Sequence, residues 1–494
     1  MRDLLLTLII FGSLPLILIR PHYGVYMWAW LTYMTPHRLA WGFAYDFRFN
    51  YFVAIVTIIA IIRSKEIKIR LPMVLPLLLW MLFSFWTSLT TILALEPFSA
   101  RQEWDRFVKI QVLIFITYLI IKEKKQIVTL VGIIAFSIGF FGFKGGLFTI
   151  FKGGYFRVMG PEYSFIADNN TFALALNMTL PLSLYFMYST KKIYIRLALL
   201  VHNFFCILAI FGSYSRGGLV ALIAMGTIFW VASRKKITTL IFILILAPLA
   251  VTMMPNKWIQ RVSPMLESLN LPLLTGLLPV NLTQKISLNS SSAFPDEVNF
   301  IQLMDFGDGL IKKDAEILQD LSILGRFDAW NLAKTVANDR PFVGGGFGAF
   351  TQGVFDRYTP GVFRHDAHSI YFEVLGEQGY MGLLIWVLMH LSSIRSGLWV
   401  VMRCRHDPEL AWSALMAKMI ILGLVGYYSA GISLGLAYYD LPYHYLCLLV
   451  ILSVHVKSKI RIRNEEERLH GKNQGRGHTF PVQWPAGTTL PGIA

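Results

Sequence analysis

Apolar runs of near-helical length alternate with short polar connectors from residue 4 to 253, and again from 379 to 456. The first series falls at 4–19, 22–35, 51–62, 72–94, 106–121, 126–150, 171–188, 197–212, 217–232 and 237–253. The second falls at 379–394, 411–432 and 441–456. A helix needs about 20 apolar residues to cross a hydrocarbon core. The pattern therefore predicts an all-α polytopic membrane protein with about 12–13 transmembrane helices. The first two runs are short, and a re-entrant hairpin there would leave the side of the N-terminus open.

Charge orients the bundle. Arg63, Lys65, Lys68 and Arg70 fill one connector, Lys122, Lys124 and Lys125 another, and Lys191, Lys192 and Arg196 a third. Arg234, Lys235 and Lys236 follow, then Arg395, Arg403 and Arg405, and finally Lys457, Lys459, Arg461 and Arg463. These connectors alternate with non-basic ones, so the positive-inside rule places them all in the cytoplasm. Segments 96–105, 151–170, 213–217, 254–378 and 433–440 are then on the outer, non-cytoplasmic side.

Four regions result: N-terminal transmembrane helices (1–253), a large outer loop (254–378), C-terminal transmembrane helices (379–456) and a cytoplasmic tail (457–494). In the loop, Leu321, Leu324, Phe327, Trp330, Ala333 and Ala337 recur at helical spacing, which predicts an amphipathic helix ending before Asp339-Arg-Pro341. Gly344-Gly-Gly-Phe-Gly348 reads as a flexible turn. The 264–320 stretch, with Asn289-Ser-Ser-Ser292, carries no identifiable chemistry. The tail is polar, rich in Gly and Pro beyond Arg463, and expected to be disordered.

Composition agrees: 55% of the 494 residues are hydrophobic and 15% charged, with mean hydropathy +0.55. The net charge of +16 would suggest nucleic acid in a soluble protein. Here it collects in the connectors, without a basic stripe interleaved with aromatics, so no nucleic-acid partner is expected. Cys206, Cys404 and Cys447 lie far apart in or beside apolar runs and form neither a disulfide framework nor a metal motif. The Met1-Arg-Asp start lacks a small-residue cleavage site and reads as a retained first span.

Four constellations carry candidate chemistry. In Arg364-His-Asp-Ala-His368, a neutral imidazole can take a proton from a hydroxyl near pH 7. The alternatives are a metal pair of His365 and His368 lacking an obvious third ligand, or histidines that merely solvate a helix start. Ser213-Tyr-Ser-Arg-Gly-Gly218 places Arg216 at a membrane boundary, where it either grips an anion such as phosphate or snorkels from a tight turn. Arg326 and Arg340 belong to the loop helix and its end, as candidate anion ligands or as solvated charges. Gly153-Gly-Tyr-Phe-Arg-Val-Met-Gly-Pro161, with Arg157, leads to Asp168-Asn-Asn-Thr171, whose polar groups can hold sugar hydroxyls or cap a helix. The outer segments offer no carboxylate pair for glycoside hydrolysis, no phosphate loop and no Gly-x-Ser-x-Gly elbow.

Together these stretches resemble the O-antigen ligase and polymerase superfamily, and within it the O-glycosylation ligases associated with exosortase A. The resemblance rests on Met1-Arg-Asp-Leu-Leu-Leu6, Pro36-His-Arg-Leu-Ala-Trp-Gly-Phe-Ala44, Asp168-Asn-Asn170, Ser215-Arg-Gly217, Gly325-Arg-Phe-Asp-Ala-Trp330 and His365-Asp-Ala-His-Ser-Ile-Tyr-Phe-Glu373. It covers about residues 1–456, apart from 264–320. The chain departs from the commoner pattern at Ser369, where classical ligases often carry Asn, and in its long insertion.

The resemblance implies an enzyme whose donor is a glycan on undecaprenyl pyrophosphate. The acceptor would be a hydroxyl of a glycolipid, protein or polysaccharide, and no cofactor or metal would be needed. His368 would deprotonate or position the acceptor, and Arg216 and Arg326 would hold the pyrophosphate. Arg157, Asp168, Asn169, Asn170, Arg340, His365 and Tyr371 would bind substrate around them. A polymerase shares the donor and fold. A transporter or flippase would bury ionisable residues near the midplane, whereas these candidates sit at the outer boundary.

Overall fold

The computed structural model describes residues 1–64, 74–233, 236–237, 254–255, 258 and 311–476, with side chains from 324 to 469 in the last stretch. Fourteen α-helices and no strand occur among the described residues. They are α1 (Arg2–Ile19), α2 (His22–Met34), α3 (Phe49–Arg63), α4 (Leu75–Ile92), α5 (Pro97–Ile120), α6 (Lys124–Phe151) and α7 (Asn169–Ser189). Then come α8 (Ile193–Gly212), α9 (Arg216–Val231), α10 (Ile311–Asp339), α11 (Gln352–Tyr358), α12 (Ile370–Cys404), α13 (Ala411–Ala430) and α14 (Asp440–Arg476). Seven of these, α1, α4, α6, α7, α8, α12 and α13, are long and apolar enough to cross a membrane, and α3 and α9 are shorter apolar helices. The chain is an all-α polytopic membrane protein. Every expected apolar run overlaps a helix except 237–253, which lies outside the described residues, as does most of 264–320.

The core forms around α13, which packs on α7, α9, α12 and α14. Close approach needs small residues, because lipid supplies no hydrophobic drive between helices. At Gly423 a Cβ would stand 2.6 Å from the Met178 carbonyl oxygen of α7. Buried polar groups tie the same helices: Asn177 Nδ2 of α7 donates to the Gly218 carbonyl of α9 at 2.9 Å.

The basic connectors meet at one end of the bundle. There Arg463 pairs with Asp407 at 2.8 Å, His455 Nδ1 lies 2.8 Å from the Lys122 carbonyl oxygen, and Lys124 stands over the Trp412 ring. The helix N-termini of α7, α9 and α12 point to the other end. The N-terminus joins that end too, because Asp3 Oδ1 accepts the amides of Gly42 and Ala44 at 3.0 and 3.1 Å. That loop leads into α3, which runs from it to Arg63.

Three expectations change. The last-but-two span begins at Ile370 rather than 379, because α12 contains a break at Gly379 (φ 68°, ψ −175°). The glycine-rich turn is docked there rather than flexible. The amides of Gly345 and Gly346 donate to the Gly376 and Glu377 carbonyls at 2.8 Å each, and the Tyr380 amide donates to Pro341 at 2.8 Å. Carbonyls freed by the break are thus satisfied inside the protein, as an apolar surround requires. Finally, α14 continues to Arg476, so 457–476 is helical rather than disordered. Its charges support the helix locally, as in the Arg461–Glu465 pair at i, i+4 and 2.9 Å.

Candidate active site

The Ser213–Gly218 segment turns sharply between α8 and α9. Tyr214 sits in the left-handed region (φ 59°), and its hydroxyl donates to the Gly154 carbonyl at 2.7 Å. Ser215 caps α9 by accepting the Gly218 amide at 3.1 Å, which makes Arg216 the first helical residue. The turn is anchored on α7, where Asn169 Nδ2 donates to the Ser213 carbonyl at 2.8 Å. At Gly218 a Cβ would meet Ala173 Cβ at 2.6 Å, so only glycine lets the two helix starts approach.

His368 stands immediately before Ser369, the N-cap of α12, and is itself left-handed (φ 44°). A bulky residue there is unfavourable unless its neighbours hold it. They do: Trp330 Nε1 of α10 donates to the Ala367 carbonyl at 2.9 Å, and the Ile370 amide donates to Gly431 at 2.9 Å. Trp330 also stacks on Phe372 with ring centroids 4.9 Å apart. Arg326 lies one turn before Trp330 on α10, so the helix that fixes the His368 turn also presents this guanidinium.

Arg216, Arg326 and His368 line one cavity of about 220 Å³, with Asn170, Ser215, Gly217, Gly218, Ala430, Ser433 and Leu434. The starts of α7, α9 and α12 all meet on it, and each contributes the partial positive charge of a helix N-terminus. Neither arginine forms an ion pair with a carboxylate among the described residues. Arg326 Nε is buried with no hydrogen-bond partner there. Burial, then the charge of Arg216, pushes the Arg326 guanidinium below its ordinary range. Such an uncompensated pair favours a polyanion, because guanidinium groups match phosphate oxygens two at a time.

Burial likewise pushes His368 below the usual histidine value, and Arg326 pushes it further, while Asp366 and Asp168 act in the opposite sense. The imidazole is therefore neutral at pH 7 and able to accept a proton. Among the described residues no group of three or more His, Cys, Asp and Glu side chains is placed to hold a metal ion, so the His365–His368 pair has no third ligand.

The other candidates divide. Asn170 lines the cavity. Asp168 caps α7, accepting the Asn170 amide at 2.8 Å and the Thr171 amide at 3.3 Å. Asn169 is spent on the Ser213 carbonyl. His365 lies outside the cavity lining, its ring against Gly325 of α10. Arg157 is exposed on the α6–α7 connector. Arg340 turns away, donating to the Leu93 carbonyl beyond α4. Tyr371 donates to the Tyr428 carbonyl at 3.2 Å and packs edge-on against Trp386, because its position on α12 faces the bundle interior. Sequence reasoning missed the far wall, Ser433 and Leu434, whose only signal is the glycine-flanked segment Gly431-Ile-Ser-Leu-Gly435 after a span. It also missed Trp330 as the residue that positions His368.

Residues 1–191 match a family of unknown function, DUF5935. Among curated proteins none matches the chain. Residues 202–387, which hold Arg216, Arg326 and His368, match the family model described as O-Antigen ligase. That stretch is an O-antigen ligase domain, so over those residues the chain is similar to the O-antigen ligase superfamily.

Proposed function

We propose that the protein transfers a glycan from undecaprenyl pyrophosphate to an acceptor hydroxyl, at the periplasmic face of a bacterial inner membrane. The O-antigen ligase domain supports glycan transfer of the ligase or polymerase type. The gathering of basic connectors at the opposite end of the bundle supports the orientation. The single observation that carries the reading is the cavity itself, lined by two guanidinium groups that have no ion pair among the described residues and by an imidazole held below its usual pKa.

In this reading Arg216 and Arg326 bind the pyrophosphate. His368 takes the proton of the acceptor O–H as that oxygen forms a bond to the anomeric carbon of the donor. The anomeric C–O bond breaks, its electron pair leaves on the pyrophosphate oxygen, and the configuration inverts. Charge grows on the leaving group in the transition state, where fixed cations help most. A pyrophosphate leaves without a proton, so one base suffices and neither metal nor cofactor is called for. Asn170 and the amides at the start of α9 complete the anion site.

Purified protein with lipid-linked glycan and acceptor should lose transfer on His368→Ala while keeping its fold, and full activity in that variant would discard the base. The glycan profile of a deletion strain separates ligase from polymerase. Long lipid-linked polymer should accumulate if a ligase is missing, and single repeat units if a polymerase is.

A further inference from the structure

At the basic end of the bundle, Lys457, Ile460, Arg461, Asn464 and Arg468 form one stripe along α14. The stripe faces Trp399 and Arg403 in the last turns of α12. Between them lies a groove of about 430 Å³, which Glu465 also lines. Four cations line it against one carboxylate. That carboxylate is already bound to Arg461 at 2.9 Å. Lys457 Nζ stands 5.3 Å from the centre of the Trp399 ring, so the indole forms a floor for the ammonium group. Arg403 and Arg468 have no ion pair among the described residues.

We propose that this groove binds the phosphate headgroup of an anionic phospholipid. Two observations favour a lipid over a soluble phosphate. Tryptophan favours the membrane–water boundary, and Trp399 lies on the groove floor. Leu398 and Met402, neighbours of Trp399 and Arg403 on α12, are 46% and 66% exposed, which offers an apolar strip to an acyl chain beside the cations. A headgroup phosphate held between Arg403 and the cations of α14 would pin the end of α12 to the first cytoplasmic turns of α14. The first of these helices begins at Ile370, two residues after His368, so an occupied groove braces the far end of a helix whose start borders the cavity.

The full chain in detergent should retain phosphatidylglycerol in native mass spectrometry at least about tenfold more tightly than phosphatidylcholine. The triple variant R403Q/K457Q/R468Q should lose that preference, and R403K/R468K should keep most of it. A double variant at the opposite end, R216Q/R326Q, should keep it fully. Retention should weaken with added salt, and an equal concentration of inorganic phosphate should not displace the lipid. Equal retention of both lipids, preference surviving in the triple variant, or displacement by inorganic phosphate would each overturn the proposal. If the triple variant fails to fold, the wild-type lipid ratio and its salt dependence decide the matter.

Discussion

Arg326→Gln should separate stability from activity in opposite directions. In the folded protein Arg326 is half-buried, has a buried Nε without a partner among the described residues, and is held below its usual range by burial and by Arg216. Removing the charge relieves both penalties. After allowance for solvent screening the gain is a few tenths of a kcal/mol, on the order of a partly exposed charge pair. The donor complex responds the other way. Losing one cation that meets the growing charge of the leaving group costs about 10²- to 10³-fold in rate, or about 2.7–4 kcal/mol. Thermal unfolding in detergent and initial transfer rates with a fluorescent lipid-linked donor read the two effects separately. A variant that melts well below the parent while transferring at the parental rate would refute the reasoning, because Arg326 would then be a structural residue.

Further outcomes follow from the same geometry. Because His368 is pushed below the usual 6.5 by burial and by Arg326, the acid limb of kcat/KM should lie below pH 6.5. Arg326→Gln removes a cation that opposes protonation, so the limb should move to higher pH; a shift to lower pH would contradict this electrostatic assignment. Trp330→Phe keeps the stack on Phe372 but deletes the bond to Ala367. It should lower kcat by about fivefold, as loss of a bond of about 1 kcal/mol would, with KM little changed, and an unchanged kcat would remove Trp330 as a positioning residue. Gly379→Ala forces a Cβ to 2.6 Å from the Phe342 carbonyl oxygen at a left-handed residue. Its expected cost is about 1–3 kcal/mol, seen as a lower melting temperature, and a neutral effect would mean the break in α12 is not fixed.

Much of the fold was legible because hydrophobic span length and basic connectors are strong local signals. The loop helix was legible in its existence and, to within one residue, in its end at Asp339, but its buried face was only partly legible: Leu324 and Phe327 are exposed, and Ala329, Leu332, Ala333 and Val336 form the packed side. The break at Gly379 was not, since it depends on Gly345 and Gly346 bonding to carbonyls more than 30 residues away. That Arg340 and Tyr371 do not line the cavity was not legible for a related reason. Their residue types suit a substrate site, but the partners that claim them, the carbonyls of Leu93 and Tyr428, are set by tertiary packing alone. Arg216, Arg326 and His368 were singled out by type and motif, yet nothing in the sequence brings 216, 326 and 368 to one cavity. That convergence comes from α10 lying on α12 and from the close approach of α7 and α9.

Donor binding compared with transfer tests the central claim most directly. Titrating undecaprenyl pyrophosphate-linked glycan into the purified parent, R216Q/R326Q and H368A gives affinities, and the same samples with acceptor give rates. The expected pattern is weakened donor binding in the arginine variant, near-parental binding in H368A, and lost transfer in both. Parental donor affinity without Arg216 and Arg326, or transfer undiminished without His368, would contradict a lipid pyrophosphate held and displaced in this cavity.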